Sequence, residues 1–91
     1  MLHEERNKLN EKTLDIKRAI DSIKEELEAV DWYNQRADAT NNEELKRILV
    51  HNANEEKEHA AMLIEWLRKN DEVFAKELQD NLYKEKINTD H

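Results

Sequence analysis

Three side chains in this sequence have the type and spacing of a metal site. Glu56-Lys57-Glu58-His59 has the form Glu-x-x-His. Residues at i and i+3 share a helix face, so a carboxylate and an imidazole project side by side. Such oxygen and nitrogen donors suit Fe(II), Mn(II) or Zn(II). Glu26 stands three residues after Ile23, four before Val30 and seven before Tyr33. Those steps belong to one helical stripe, so Glu26 points along the buried face of its helix. Glu56 and His59 likewise fall between Leu49 and Leu63 on a second stripe. An unpaired carboxylate in such a place costs several kcal/mol, roughly. No Lys or Arg occupies either stripe nearby. A metal cation would supply the missing charge.

Two long helices must hold these residues. In the first, Ile16, Ala19, Ile20, Ile23, Leu27, Val30, Tyr33 and Ala37 follow steps of three and four. The spacing predicts a helix from about Leu14 to about Ala39, with Thr13 as its N-cap. Thr40-Asn41-Asn42 is the one helix-weak cluster in mid-chain, and Asn41 with Glu44 has the spacing of a capping box. A turn this short makes the next helix antiparallel. That second helix is expected from about Glu43 to Lys69, on a stripe of Leu45, Ile48, Leu49, Asn52, Glu56, His59, Ala60, Leu63 and Leu67. Asn70 suits a left-handed helix end, and Asp71 suits the cap of a shorter third helix bearing Val73, Phe74, Leu78, Leu82 and Tyr83. Residues 1–91 read as a single domain whose ends, 1–12 and 84–91, are polar and expected to be flexible.

Composition agrees with this layout. The 91 residues include no Gly and no Pro, which leaves long helices and short polar turns and deprives β-hairpins of their usual turn residues. Apolar residues make up 37% of the chain against 41% charged, too few to give a lone small chain a generous core. The formal net charge of −7 argues against nucleic acid and anionic lipid as partners and suits attraction of cations. There is no Cys, so disulfides, iron–sulfur clusters and thiolate zinc sites are excluded. No apolar run approaches the roughly 20 residues of a membrane span, and the N-terminus does not read as a signal peptide. A cytoplasmic location follows by default.

The ligand count points to a partner. Di-iron four-helix bundles take one Glu from each of two helices and Glu-x-x-His from each of the other two. This chain supplies half of that set. Two hairpins related by a two-fold axis would complete both the ligands and the thin core. The expected fold class is therefore all-α: an antiparallel two-helix hairpin with a short C-terminal helix, dimerising into a ferritin-like four-helix bundle. Two other readings of the same residues compete. One is a non-catalytic helical interaction module with solvated acidic faces. The other is a di-metal bundle with peroxide-reducing or Mn-dependent chemistry.

Two stretches carry a family resemblance. The first is Glu25-Glu26-Leu27-Glu28-Ala29-Val30-Asp31-Trp32-Tyr33 with Gln35-Arg36-Ala37-Asp38. The second is His51-Asn52, Asn54-Glu55-Glu56 and Glu58-His59-Ala60, then Met62, Glu65-Trp66 and Arg68. Together they resemble the encapsulated ferritin family over about Ser22 to Phe74. The resemblance implies a ferroxidase centre at a two-chain interface, where Glu26, Glu56 and His59 of each chain hold two irons. Glu56 is expected to bridge, with Glu26 and His59 as terminal ligands. It further implies dimers assembled into a ring, typically a decamer, carried as cargo inside an encapsulin nanocompartment that stores the oxidised iron. Glu25 and Glu28 match residues that guide metal inward, and His51, Glu55 and Glu58 match a more exposed site. By spacing, the latter three share a face distinct from that of Glu56 and His59, equally open to a solvated face that picks up adventitious Ca or Zn. Family cargo proteins usually carry a C-terminal extension with a short, glycine-containing targeting peptide, and this sequence has no glycine. Tyr33 and Trp32 are candidates to support the ligands from behind, or simply to fill an interface.

Overall fold

A computed structural model describes residues 1–90 of the chain. Of the segment 84–91 expected to be flexible, His91 lies outside the described residues. Three helices follow a single 3-10 turn at Arg6–Lys8: α1 (Glu11–Ala39), α2 (Glu43–Asn70) and α3 (Glu72–Asn81). No strand occurs among the described residues. α1 and α2 lie antiparallel as a hairpin, and α3 packs against α2. Helices of 29 and 28 residues run a little over 40 Å at about 1.5 Å per residue, most of the molecule's 50 Å length. No helix among the described residues is long and apolar enough to cross a membrane.

The helix ends depart from the sequence expectation in three places. α1 is capped by Asn10, whose side chain accepts from the Thr13 amide at 2.8 Å, so it starts at Glu11 and not after Thr13. Asn ranks above Thr as an N-cap, and Glu11 in the first turn complements the helix dipole. α2 is capped by Asn42, accepting from the Leu45 amide at 2.9 Å, in place of Asn41. The Thr40 hydroxyl takes the Asn42 amide at 3.2 Å, so the capping residue differs while α2 still begins at Glu43, as expected. Asn70 stays helical and donates back to the Trp66 carbonyl at 2.8 Å. The chain breaks instead at Asp71, in extended backbone, with its carboxylate accepting from the Phe74 amide at 2.9 Å. The left-handed residue is Tyr83, at φ 58, just past α3.

The hairpin seam is thin. Its buried residues are Leu14, Ala19 and Ala37 on α1, and Ala53, Ala60 and Leu67 on α2. Four of these are alanines, and small contact residues allow the close end of the 8–10 Å range of helix separations. The same choice leaves large side chains outside: Ile48 and Met62 are more than half exposed, and Trp32 nearly so. Surface pairs add local order only. Hydrogen bonds from Lys17, Arg68 and Lys76 hold the carboxyls of Asp21, Glu65 and Asp80 below the usual carboxylate range. Such exposed pairs contribute little to stability.

Because Ala53 is 1% exposed, enlarging it must push the helices apart. Ala53→Leu is expected to destabilise the metal-free hairpin by about 1–3 kcal/mol, measured by urea denaturation followed by circular dichroism in chelator.

Candidate metal centre

The antiparallel hairpin sets the middle of α1 beside the middle of α2. There Glu26 meets Glu56 and His59. The His59 Nδ1 lies 3.4 Å from Glu26 Oε2 and 3.4 Å from Glu56 Oε2. One ligand atom from each residue falls within 4.8 Å of the other two. Among the described residues no other group of His, Asp and Glu side chains converges in this way. Ala60, four residues after Glu56 and 4% exposed, draws α2 close to α1 at this level. The carboxylates are therefore shallowly buried, at 23% and 25% side-chain exposure, while the imidazole is 43% exposed.

The electrostatics of the cluster suit a cation. Glu26 Oε2 is buried and has no hydrogen-bond partner. A contact of 3.4 Å to His59 is too long to satisfy it well. Among the described residues no Lys or Arg pairs with Glu26 or Glu56. Two carboxylate oxygens and one imidazole nitrogen match the hard-to-borderline donors that first-row divalent metals take. Three donors are also fewer than a closed tetrahedral or octahedral shell requires. Beside these donors α2 carries a flank of Ile48, Asn52, His59, Met62 and Trp66 at helical spacing, exposed at Ile48, Met62 and Trp66. The neighbouring edge of α1 belongs to the same flank, since Ser22, Ala19 and Arg18 line a hollow with Leu63 and Trp66.

The remaining expected ligands do not converge. His51 Nε2 lies 3.7 Å from Glu55 Oε1, both well exposed, and Glu58 does not join them in a ligand group. Glu25 and Glu28 rim a shallow pocket of about 330 Å³ with Met1, Asp21 and Lys24. Trp32 and Tyr33 share a cation: the Arg36 guanidinium sits 5.8 Å from the Trp32 ring centroid and 5.7 Å from that of Tyr33. The guanidinium is attracted weakly to both ring faces. Sequence reading gave Arg36 no role, although its spacing of three and four from the two aromatics is the signal that finds it.

Known proteins share this arrangement of helices. A family profile described as EncFtn-like matches residues 1–85. The chain is 55% identical over 83 residues to a Rhodospirillum rubrum protein named encapsulated ferritin-like protein, covering 91% of this chain and 59% of that one. It is 37% identical over 68 residues to a Myxococcus xanthus protein named encapsulin nanocompartment cargo protein EncC, covering 75% of this chain and 52% of that one. The chain thus spans little more than half the length of these two relatives. Among solved structures, the crystal structure of protein ne0167 from Nitrosomonas europaea matches with a TM-score of 0.91 at 53% identity, covering 99% of this chain and 98% of that one.

Replacing the unpartnered charge separates stability from metal binding. In chelator, Glu26→Gln is expected to unfold at a temperature no lower than the unsubstituted chain, because a neutral amide replaces an unsatisfied carboxylate. With Zn(II) at a hundredfold excess over Kd, the unsubstituted chain gains about 2.7 kcal/mol and the variant gains little. Calorimetry in both buffers checks this, and equal gains for the two proteins would count against the site.

Proposed function

Because the chain belongs to the EncFtn-like family of encapsulated ferritin-like proteins, we propose that it oxidises Fe(II) to Fe(III) at a di-iron centre completed by two copies of itself. Family membership supports the iron-related, ferritin-like role. The observation that carries the finer reading is the convergence of Glu26, Glu56 and His59 around an orphaned carboxylate oxygen. This is a half-set of ligands on a flank that one chain leaves open.

In this reading a second copy, related by a two-fold axis, brings its own Glu26, Glu56 and His59 to the same place. An isologous contact makes the two half-sites equivalent. Glu56 serves as the bridging carboxylate, with Glu26 and His59 as terminal ligands. Iron bound there supplies the electrons that O₂ accepts. The four carboxylates of the pair set a strongly negative potential that favours the higher charge of Fe(III) over Fe(II). His59 contributes a neutral nitrogen, which limits the excess of negative charge. Closure of the second copy over Ile48, Met62 and Trp66 removes water from the flank and strengthens these interactions.

The proposal extends to assembly. A pair of hairpins encloses no space for mineral, so Fe(III) must be handed on. Pairs arranged as a ring of ten chains, held as cargo within an encapsulin shell, give the product a compartment. The names of the Rhodospirillum and Myxococcus relatives support the encapsulin shell.

Two measurements test this. Adding Fe(II) to the aerobic protein should consume O₂, and Glu56→Ala or His59→Ala should reduce the rate to that of Fe(II) in buffer with helical content unchanged. A variant oxidising iron at the unsubstituted rate would sink the assignment. Native mass spectrometry should show a metal-dependent pairing step, present with iron and lost in chelator. Identical masses in the two conditions would remove the shared centre.

A further inference from the structure

On the open flank of α2, the metal centre accounts for Glu56 and His59 but not for Asn52. That residue lies one turn before Glu56, at i and i+4, between the apolar Ile48 and Leu49 on one side and the ligands on the other. It is half-buried. Its side chain makes no hydrogen bond among the described residues; the same holds for Asn7, Asn34 and Asn41, but those are exposed, whereas Asn52 is half-buried. An amide carries two donors and an acceptor. On a flank that a second copy covers, those groups lose water and need a partner from that copy.

We propose that Asn52 is the specificity-determining residue of the chain-to-chain contact, its amide pairing with a polar group of the second copy and so fixing the register in which the two metal half-sites meet. This rests on the two-copy centre proposed above. The apolar residues of the flank cannot set the register. Sliding one hairpin along the other by one helical turn, about 5.4 Å, exchanges Ile48 for another apolar neighbour at little cost. The same slip would pull the ligands of the two copies out of reach. A polar group that must find its partner penalises slipped pairs and also weakens pairing in the absence of metal. A single polar residue on a helical seam acts this way in coiled coils.

Asn52→Leu and Asn52→Ala in the full chain test the inference by sedimentation velocity in chelator and with Fe(II) under anaerobic conditions, alongside iron content per pair. With Leu, which adds a buried aliphatic side chain from each of the two copies, pairing in chelator is expected to tighten by at least about tenfold. Iron bound per pair should fall below that of the unsubstituted protein as slipped pairs accumulate. With Ala, which adds almost no apolar surface and leaves the partner's polar group unmatched, pairing in chelator should weaken and iron per pair should still fall. Weaker pairing in chelator with Leu would mean that the amide strengthens the contact and does not merely select its register, and that result overturns the proposal. So does iron content equal to that of the unsubstituted protein in both. Should the unsubstituted chain itself show no iron-dependent pairing, the shared centre fails, and the role of Asn52 fails with it; pairing by that chain with unaffected variants overturns the role of Asn52 alone.

Discussion

A carboxylate without a partner governs this molecule. Glu26 Oε2 is buried against α2 with nothing to donate to it, and a Glu56 oxygen lies within 4.8 Å. Two like charges this close repel each other. Small domains are stable by only about 5–15 kcal/mol, and a core built on six small or medium side chains sits at the weak end of that range. The neighbouring imidazole is too distant for a strong hydrogen bond. The hairpin therefore holds an electrostatic cost in its middle that a divalent cation relieves directly. A purely structural hairpin could have placed Leu at position 26 and gained core in exchange.

The alanine seam explains why the cost is tolerated and why it is well placed. Ala53 and Ala60 bring α2 close enough to α1 that side chains on neighbouring stripes meet across the gap. The three candidate ligands come from rigid helix interiors, not from loops, so their positions depend on helix packing. The price is the open flank: the larger apolar side chains lie beside the seam, half exposed. On the proposed reading, a flank that is apolar at both ends and acidic in the middle disfavours pairing until the middle is neutralised.

Periodicity makes the hairpin and the convergence of Glu26, Glu56 and His59 legible. Both depend on a repeat sustained over seven or more turns, and one misplaced residue does not shift the phase. Helix ends were less legible because they turn on single hydrogen bonds between near-equivalent candidates. Asn10 and Thr13 can both cap, and Asn wins because its side chain reaches the third amide along and places Glu11 in the first turn. Asn41 and Asn42 differ only in whether the Thr40 hydroxyl has already taken an amide. Asn70 carries a left-handed tendency that the backbone never uses, since its side chain finds the Trp66 carbonyl and Asp71 breaks the chain in extended form. Arg36 was overlooked for another reason: a charged residue beside two aromatics reads as solvent-facing until the rings are seen to stack beneath it. The outer acidic residues show the opposite limit. His51, Glu55 and Glu58 share a face by spacing, yet sharing a face does not bring their ligand atoms to one point.

Dividing the site between two chains has a physical consequence that a single-chain bundle lacks. When loops join all four helices, the ligands are near one another whether or not metal is present, and affinity reflects the site alone. On the proposed reading, each chain holds three donors rigidly but none of the shell's other half. Metal binding and pairing then share one free energy, and each strengthens the other by mass action. Such coupling needs an interface that is weak without metal. A broad apolar contact would pair the chains permanently and uncouple the two events. The small core, the carboxylates at mid-flank and the lone amide of Asn52 all lower the affinity of the empty pair. A sequence with 41% charged residues and an alanine seam is poorly suited to a stable lone hairpin, and well suited to one whose completion waits on a cation.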